Sequence, residues 1–142
     1  MKILGERIIQ YLKSDSALTT LLGSNENIFA MGLQEGDRRK DKFVVVSIGV
    51  GESGNYIPTQ SGEQVVEVAV NRKVVNGLTL CANIASAVDD ILNEKENLIS
   101  NSSWKLKHFV RKDSPSNGIM IDERANEYYF TLAYDYILDE SI

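Results

Sequence analysis

Between residues 78 and 94 the chain places Cys81, Ile84, Ala85, Val88, Ile91 and Leu92 at positions i, i+3, i+4, i+7, i+10 and i+11. Apolar residues at that spacing form one continuous stripe along an α-helix, and a helix with one apolar side must lay it against another element. Asn83, Ser86, Asp90 and Asn93 fall on the wet side, and Asn76 stands where a cap is needed. The partner surface lies just upstream. Over 63–72, Val66, Val68 and Val70 alternate with Glu67 and Asn71, which is the period of a strand with one face buried. A strand that turns directly into a helix of this kind predicts helix packed on sheet.

The remaining elements follow the same logic. Leu4, Ile8, Tyr11 and Leu12 line one side of an N-terminal helix that Ser14-Asp15-Ser16 ends and recaps. Leu18, Leu21 and Leu22 continue as a short second turn, with Gly23 as its C-terminal cap. A brief extended piece over 28–31 leads to a polar loop from Gln34 to Lys40. Residues 43–50 are β-branched and short, as in a buried strand, and joining them to 63–72 gives an antiparallel hairpin with a long loop over 51–62. Trp104–Arg111 alternates as a strand, 113–124 is a second long connection, and 127–138 is the last strand. That strand puts Tyr128, Phe130, Leu132, Tyr134 and Tyr136 on one side. The expected architecture is α+β over a single domain, 1–142: a mostly antiparallel β-sheet of about four strands packed against an N-terminal helix and one long central helix.

Composition excludes several classes. Hydrophobic residues are 43% and charged residues 25%, the balance of a globular domain rather than a disordered tail or a fibre. No apolar run is long enough to cross a membrane, and residues 1–7 lack the apolar core of a signal peptide. The single cysteine, Cys81, cannot close an internal disulfide. The net charge of −5 opposes general attraction to nucleic acid or anionic lipid.

The motifs that suggest chemistry each have a plainer explanation. Gly49-Val50-Gly51-Glu52-Ser53-Gly54 is a literal G-x-G-x-x-G after a strand, but a dinucleotide site needs a helix to start there. Asn55-Tyr56-Ile57-Pro58-Thr59 follows instead, so no cofactor site is assigned. His108 is the only histidine and runs in phase with Trp104, Leu106 and Val110, on the apolar side of a sheet or at its margin. Cys81 sits in the helical stripe, so both residues are expected to be structural rather than a catalytic dyad. Asp89-Asp90, Asp122-Glu123 and Asp139-Glu140 are sequence neighbours that cannot share a helix face, and are expected as solvated surface. No metal-ligand spacing is present. Two basic clusters, Arg38-Arg39-Lys40-Lys42 and Lys105-Lys107-Arg111-Lys112, beside the aromatic last strand leave one rival open: a sheet that stacks single-stranded nucleic acid.

One resemblance spans most of the chain. Asp15-Ser16-Ala17-Leu18-Thr19-Thr20-Leu21-Leu22-Gly23, followed by Ile28-Phe29, resembles the "D-x-a-L-x-x-L-l-G … I-f" opening of the tail-completion, or tail-terminator (minor tail), proteins of long-tailed bacteriophages and prophages. The order of a Val-rich strand, long loop, second strand, Ala-containing helix and closing Tyr-rich strands is similar too. The resemblance implies a homo-oligomeric ring, usually a hexamer, that caps the tail tube protein and docks to the head-connector protein. It implies no catalysis and no cofactor, with the protein in the virion tail and, during assembly, in the host bacterial cytoplasm. Another head-tail connector or neck protein would share these features. On this basis the partner contacts fall on apolar residues in the two long loops, Tyr56 and Ile57 in the first and Ile119, Met120 and Ile121 in the second. The alternative, that these side chains fold back onto the domain's own core, stays open.

Overall fold

The computed structural model describes residues 2–30, 41–47, 59–93, 104–112 and 118–140. Helices α1 (Lys2–Ser14) and α2 (Ser16–Leu22) lead through a 3₁₀ turn into β1 (Ile28–Ala30) and β2 (Lys42–Val46). Then come β3 (Thr59–Asn71), α3 (Gly77–Leu92), β4 (Trp104–Arg111), β5 (Met120–Asp122) and β6 (Glu127–Glu140). The strands form one sheet in the order β1-β2-β3-β6-β4, with β5 also paired to β6. All pairings are antiparallel except β1 with β2. The fold is the expected α+β, with six strands: the four long ones anticipated and two of three residues each.

The caps explain the helix boundaries. Asp15 accepts a hydrogen bond from the Leu18 amide at 2.9 Å, satisfying one of the free N–H groups at the start of α2. Gly23 ends that helix in the left-handed region (φ 85), where a side chain would be strained. At α3 the anticipated cap has a different form. Asn76 occupies the N-cap position with φ 58 and makes no side-chain cap bond. Leu4, Ile8 and Leu12 of α1, Leu18 and Leu22 of α2, and Cys81, Ile84, Val88 and Leu92 of α3 are fully buried. They meet Val44, Val46, Val66, Val68, Val70, Leu132, Tyr134 and Leu138 of the sheet in one core. Each such side chain contributes about 1.5–3 kcal/mol of burial.

Three local departures from the simple alternation shape the sheet. First, β3 begins at Thr59, inside the stretch expected as loop, and pairs with β6 along its whole length from Thr59↔Asp139 to Asn71↔Glu127. Gly62 looks like a turn residue in sequence. In the sheet it lies opposite Tyr136, and a Cβ there would come within 3.1 Å of the Tyr136 hydroxyl. The missing side chain makes room for the ring. Second, the pairing of β4 with β6 skips from Leu106↔Leu138 to His108↔Ile137, so Lys107 is bulged out. Third, residues expected as one long connection over 113–124 include β5, which forms a hairpin with β6. Asp122 closes that hairpin by accepting from the amides of Arg124 (3.0 Å) and Ala125 (3.2 Å), and Asn126 takes φ 57.

A polar clamp joins α3 to the sheet. The Tyr134 hydroxyl donates to Asp89 Oδ1 at 2.8 Å, and Arg111 Nη1 donates to Asp89 Oδ2 at 3.2 Å. The Tyr134 ring is fully buried and stacks on Phe109 at 4.8 Å. Burial, together with the bond to Asp89, pushes the Tyr134 phenol far above its usual value. A raised phenol pKa means the folded chain keeps a proton that the unfolded chain loses above about pH 10, so this contribution is complete below that pH and lost as pH rises. Tyr134→Phe is expected to cost about 1–2 kcal/mol in urea unfolding near neutral pH. The same substitution flattens the fall in stability above about pH 10, measured by urea titrations at successive alkaline pH values.

Candidate protein-contact surface

Cys81 and His108, the pair that could have formed a dyad, are kept apart by the sheet. Cys81 is fully buried on the stripe of α3, and burial pushes its thiol up to about 11, so it is not a thiolate at neutral pH. The bulge at Lys107 overturns the expected phase of His108. Leu106 and Phe109 are the core residues of β4, and His108 points to the opposite, half-exposed face. Cys81 and His108 therefore lie on opposite sides of the sheet. Asp89 also departs from expectation: it is turned into the clamp with Tyr134 and Arg111, and Asp90 alone of that pair is surface.

The elements of a nucleic-acid platform are likewise dispersed. Tyr134 and Tyr136 are buried, and Tyr128 and Phe130 pack against the same core, so the aromatic side of β6 faces the helices. Arg111 stays on that side, 5.5 Å over the Phe130 ring, whereas Lys112 pairs with Glu63 at 3.1 Å on the surface. Lys105 and Lys107 are exposed. Among the described residues no group of three or more His, Cys, Asp or Glu could hold a metal ion, and no helix is long and apolar enough to cross a membrane. The Gly49–Gly54 motif and the cluster Arg38-Arg39-Lys40 lie outside the described residues.

The structure does gather exposed apolar side chains. Met120 and Ile121 are each 51% exposed, on β5 rather than on a loop, while Ile119 packs partly onto the core. β5 pairs with the start of β6, Met120 opposite Tyr129 and Ile121 opposite Tyr128. On the far face of the sheet, Met120 extends a cross-strand row through Tyr129 and Ala69 to Phe43, whose ring lies 6.2 Å from Phe29. On the helix face, Tyr128 abuts Gly77, where a Cβ would come within 3.4 Å of the ring. That contact brings the first turn of α3 to the same end of the molecule. There Leu78 is 51% exposed and Val75, in the turn before α3, is 85% exposed. Four of the five large hydrophobic residues exposed among the described residues thus lie at this end: Leu78 and Ile121 next to the residues that meet Tyr128, Val75 in the adjoining turn, and Met120 on the far face of β5. Tyr56 and Ile57 lie outside the described residues.

Val75 and Leu78 were not singled out from sequence. Leu78 opens the helical stretch outside its apolar stripe, and Val74-Val75 falls between the strand expected to end at 72 and that helix. A signal was present nonetheless, since two valines between Lys73 and Asn76 exceed what a surface turn needs.

No family model and no curated protein matches the chain. Among solved structures, it is similar to a chain in the virion of a native gene transfer agent particle, with a TM-score of 0.66 and 16% sequence identity. The likeness covers 93% of this chain and 91% of that one. The two chains share a fold. At that identity the likeness speaks for the arrangement of helices and strands, and not for particular side chains.

Substitution of the exposed apolar residues tests whether they serve the fold. Met120→Ser and Ile121→Ser are each expected to leave unfolding free energy within about 0.5–1 kcal/mol of the parent, measured by urea titration at fixed protein concentration below self-association. Native Cys81 is expected to resist thiol reagents and to become reactive only with unfolding, followed by stopped reaction and mass measurement.

Proposed function

We propose that this chain is a structural subunit of a phage-type virion, and specifically a ring-forming tail-terminator or tail-completion protein. The observation that carries this is the shared fold with a chain of a gene transfer agent virion along nearly the whole length. Two features of the molecule agree with it. The helices occupy one face of the sheet, and exposed apolar residues collect at one end, which costs free energy in a monomer and is recovered when a neighbour covers them. The positions with catalytic potential serve packing: Cys81 lies in the core and Asp89 in a clamp. The subunit forms a homo-oligomeric ring, most simply a hexamer, that caps the tail tube protein and receives the head-connector protein. It acts in the virion tail after assembly in the host bacterial cytoplasm, without catalysis or cofactor.

The contact residues of this proposal are Tyr56 and Ile57, Ile119, Met120 and Ile121, with Val75 and Leu78 added by their exposure beside β5. A non-obligate protein contact needs about 800 Å² from each partner, so loops and the β5 end act together rather than singly. Light scattering coupled to size exclusion is expected to show a concentration-dependent oligomer, and negative-stain images a closed ring. Co-expression with the tail tube protein is expected to give a capped tube of defined length. A ring that binds connector but never tube assigns the chain to the neck instead, and a strict monomer with either partner sinks both assignments.

A further inference from the structure

Opposite ends of α3 carry surfaces that complement each other but cannot meet within one chain. At the C-terminal end, a groove of about 500 Å³ opens between the α1–α2 junction and α3. Its walls are Tyr11, Ala17, Ala87 and Ile91, with the carboxylates of Asp15 and Asp90 beside them. The Asp15 carboxylate accepts only the Leu18 amide among the described residues, and the Asp90 carboxylate is exposed with no partner among them. At the N-terminal end, the turn Arg72-Lys73-Val74-Val75 presents the most exposed large apolar side chain described, Val75, flanked by two exposed cations. Lys73 bonds Asp41 at 3.1 Å on open surface, a pair worth little and easily exchanged.

The turn is rigid. The Arg72 amide donates to the Asn126 carbonyl at 2.9 Å, the Lys73 amide to Asn71 Oδ1 at 2.9 Å, and the Val74 amide to the Asn71 carbonyl at 3.1 Å. Val75 is therefore held out in water by a preorganised backbone, so docking it loses little conformational entropy. An apolar knob with positive flanks matches an apolar groove with negative flanks in both hydrophobicity and charge.

We infer that the Arg72–Val75 turn of one subunit docks into the Asp15/Asp90 groove of a second copy, making a head-to-tail contact along the ring. Resting on the ring assignment above, this names the two surfaces that meet. The geometry dictates the second copy. With a rise of about 1.5 Å per residue, Val75 and the groove residues Ala87–Ile91 stand roughly 20 Å apart along one helix axis, so a turn fixed at one end cannot fold back to the other. A contact between two different patches is heterologous, and repeated around an axis it closes into a ring.

The test uses full-length chain in analytical ultracentrifugation. Val75→Glu blocks the knob, and Ala17→Arg combined with Asp90→Lys blocks the groove; all three positions are half-buried at most, so cooperative melting close to wild type serves as the folding control. Each blocked variant alone is expected to lose self-association by about tenfold or more. Mixed in equal amounts, the two variants are expected to form a dimer and stop there, because one intact knob and one intact groove remain between them. Wild-type oligomers with Val75→Glu indistinguishable from them, or a mixture that stays monomeric, overturn the docking while leaving the ring assignment standing. A wild-type chain that never self-associates overturns both.

Discussion

The pairing of β3 with β6 is the constraint on which the rest of the molecule depends. These are the two longest strands, antiparallel from Thr59↔Asp139 to Asn71↔Glu127, and every other strand attaches to one of them or to a strand already attached. They are far apart in sequence, with α3, β4 and β5 between them, so the pair closes a long loop before other contacts can form. Once formed, it presents two faces. The face of Val66, Val68, Val70, Leu132, Tyr134 and Leu138 takes all three helices, and the other is left for the cross-strand row of Phe43, Ala69, Tyr129 and Met120.

The clamp of Asp89 with Tyr134 and Arg111 ties the helix layer to that pair. Hydrophobic contact fixes how deep α3 lies, but it has little directional content. Two hydrogen bonds to a single carboxylate, from a strand on each side of the β4–β6 junction, set where along the sheet the helix stops. The Asn93 side chain adds a third tie by accepting from the Arg111 amide at 3.0 Å. With α3 fixed in this way, its two ends become fixed points on the surface. One carries the exposed turn at Val75 and the other the groove at Asp90 and Ile91. Surface patches held in this way need less ordering on docking.

Much of the fold was legible because its periods are clean. The stripe from Cys81 to Leu92, the alternation of Val66, Val68 and Val70, and the aromatic side of β6 all lie where their spacing puts them, and the Asp15 and Gly23 caps stand at their expected places. The misplacements share a cause: each is a local irregularity whose reason sits on another strand. The bulge at Lys107 turns His108 away from the core and Phe109 into it, against the alternation. Gly62 is a strand residue because the Tyr136 ring needs its space, and β5 exists because Asp122 and Asn126 shape a turn against β6. Asp89 is expected as solvated surface with Asp90, because the two donors that hold it lie 22 and 45 residues away.

The amino-acid sequence by itself determined the class of the fold and the burial of its main helix and strands. Those properties follow from composition and from periods of 2 and 3.6 residues, which are local and need no partner to be read. Tertiary structure decided which surfaces remain. It placed Val75 and Leu78 at the same end of the molecule as Met120 and Ile121, and Tyr11 and Asp15 across a groove from Ala87, Asp90 and Ile91. No spacing along the chain contains that information, because exposure is what is left after every element has covered its neighbours.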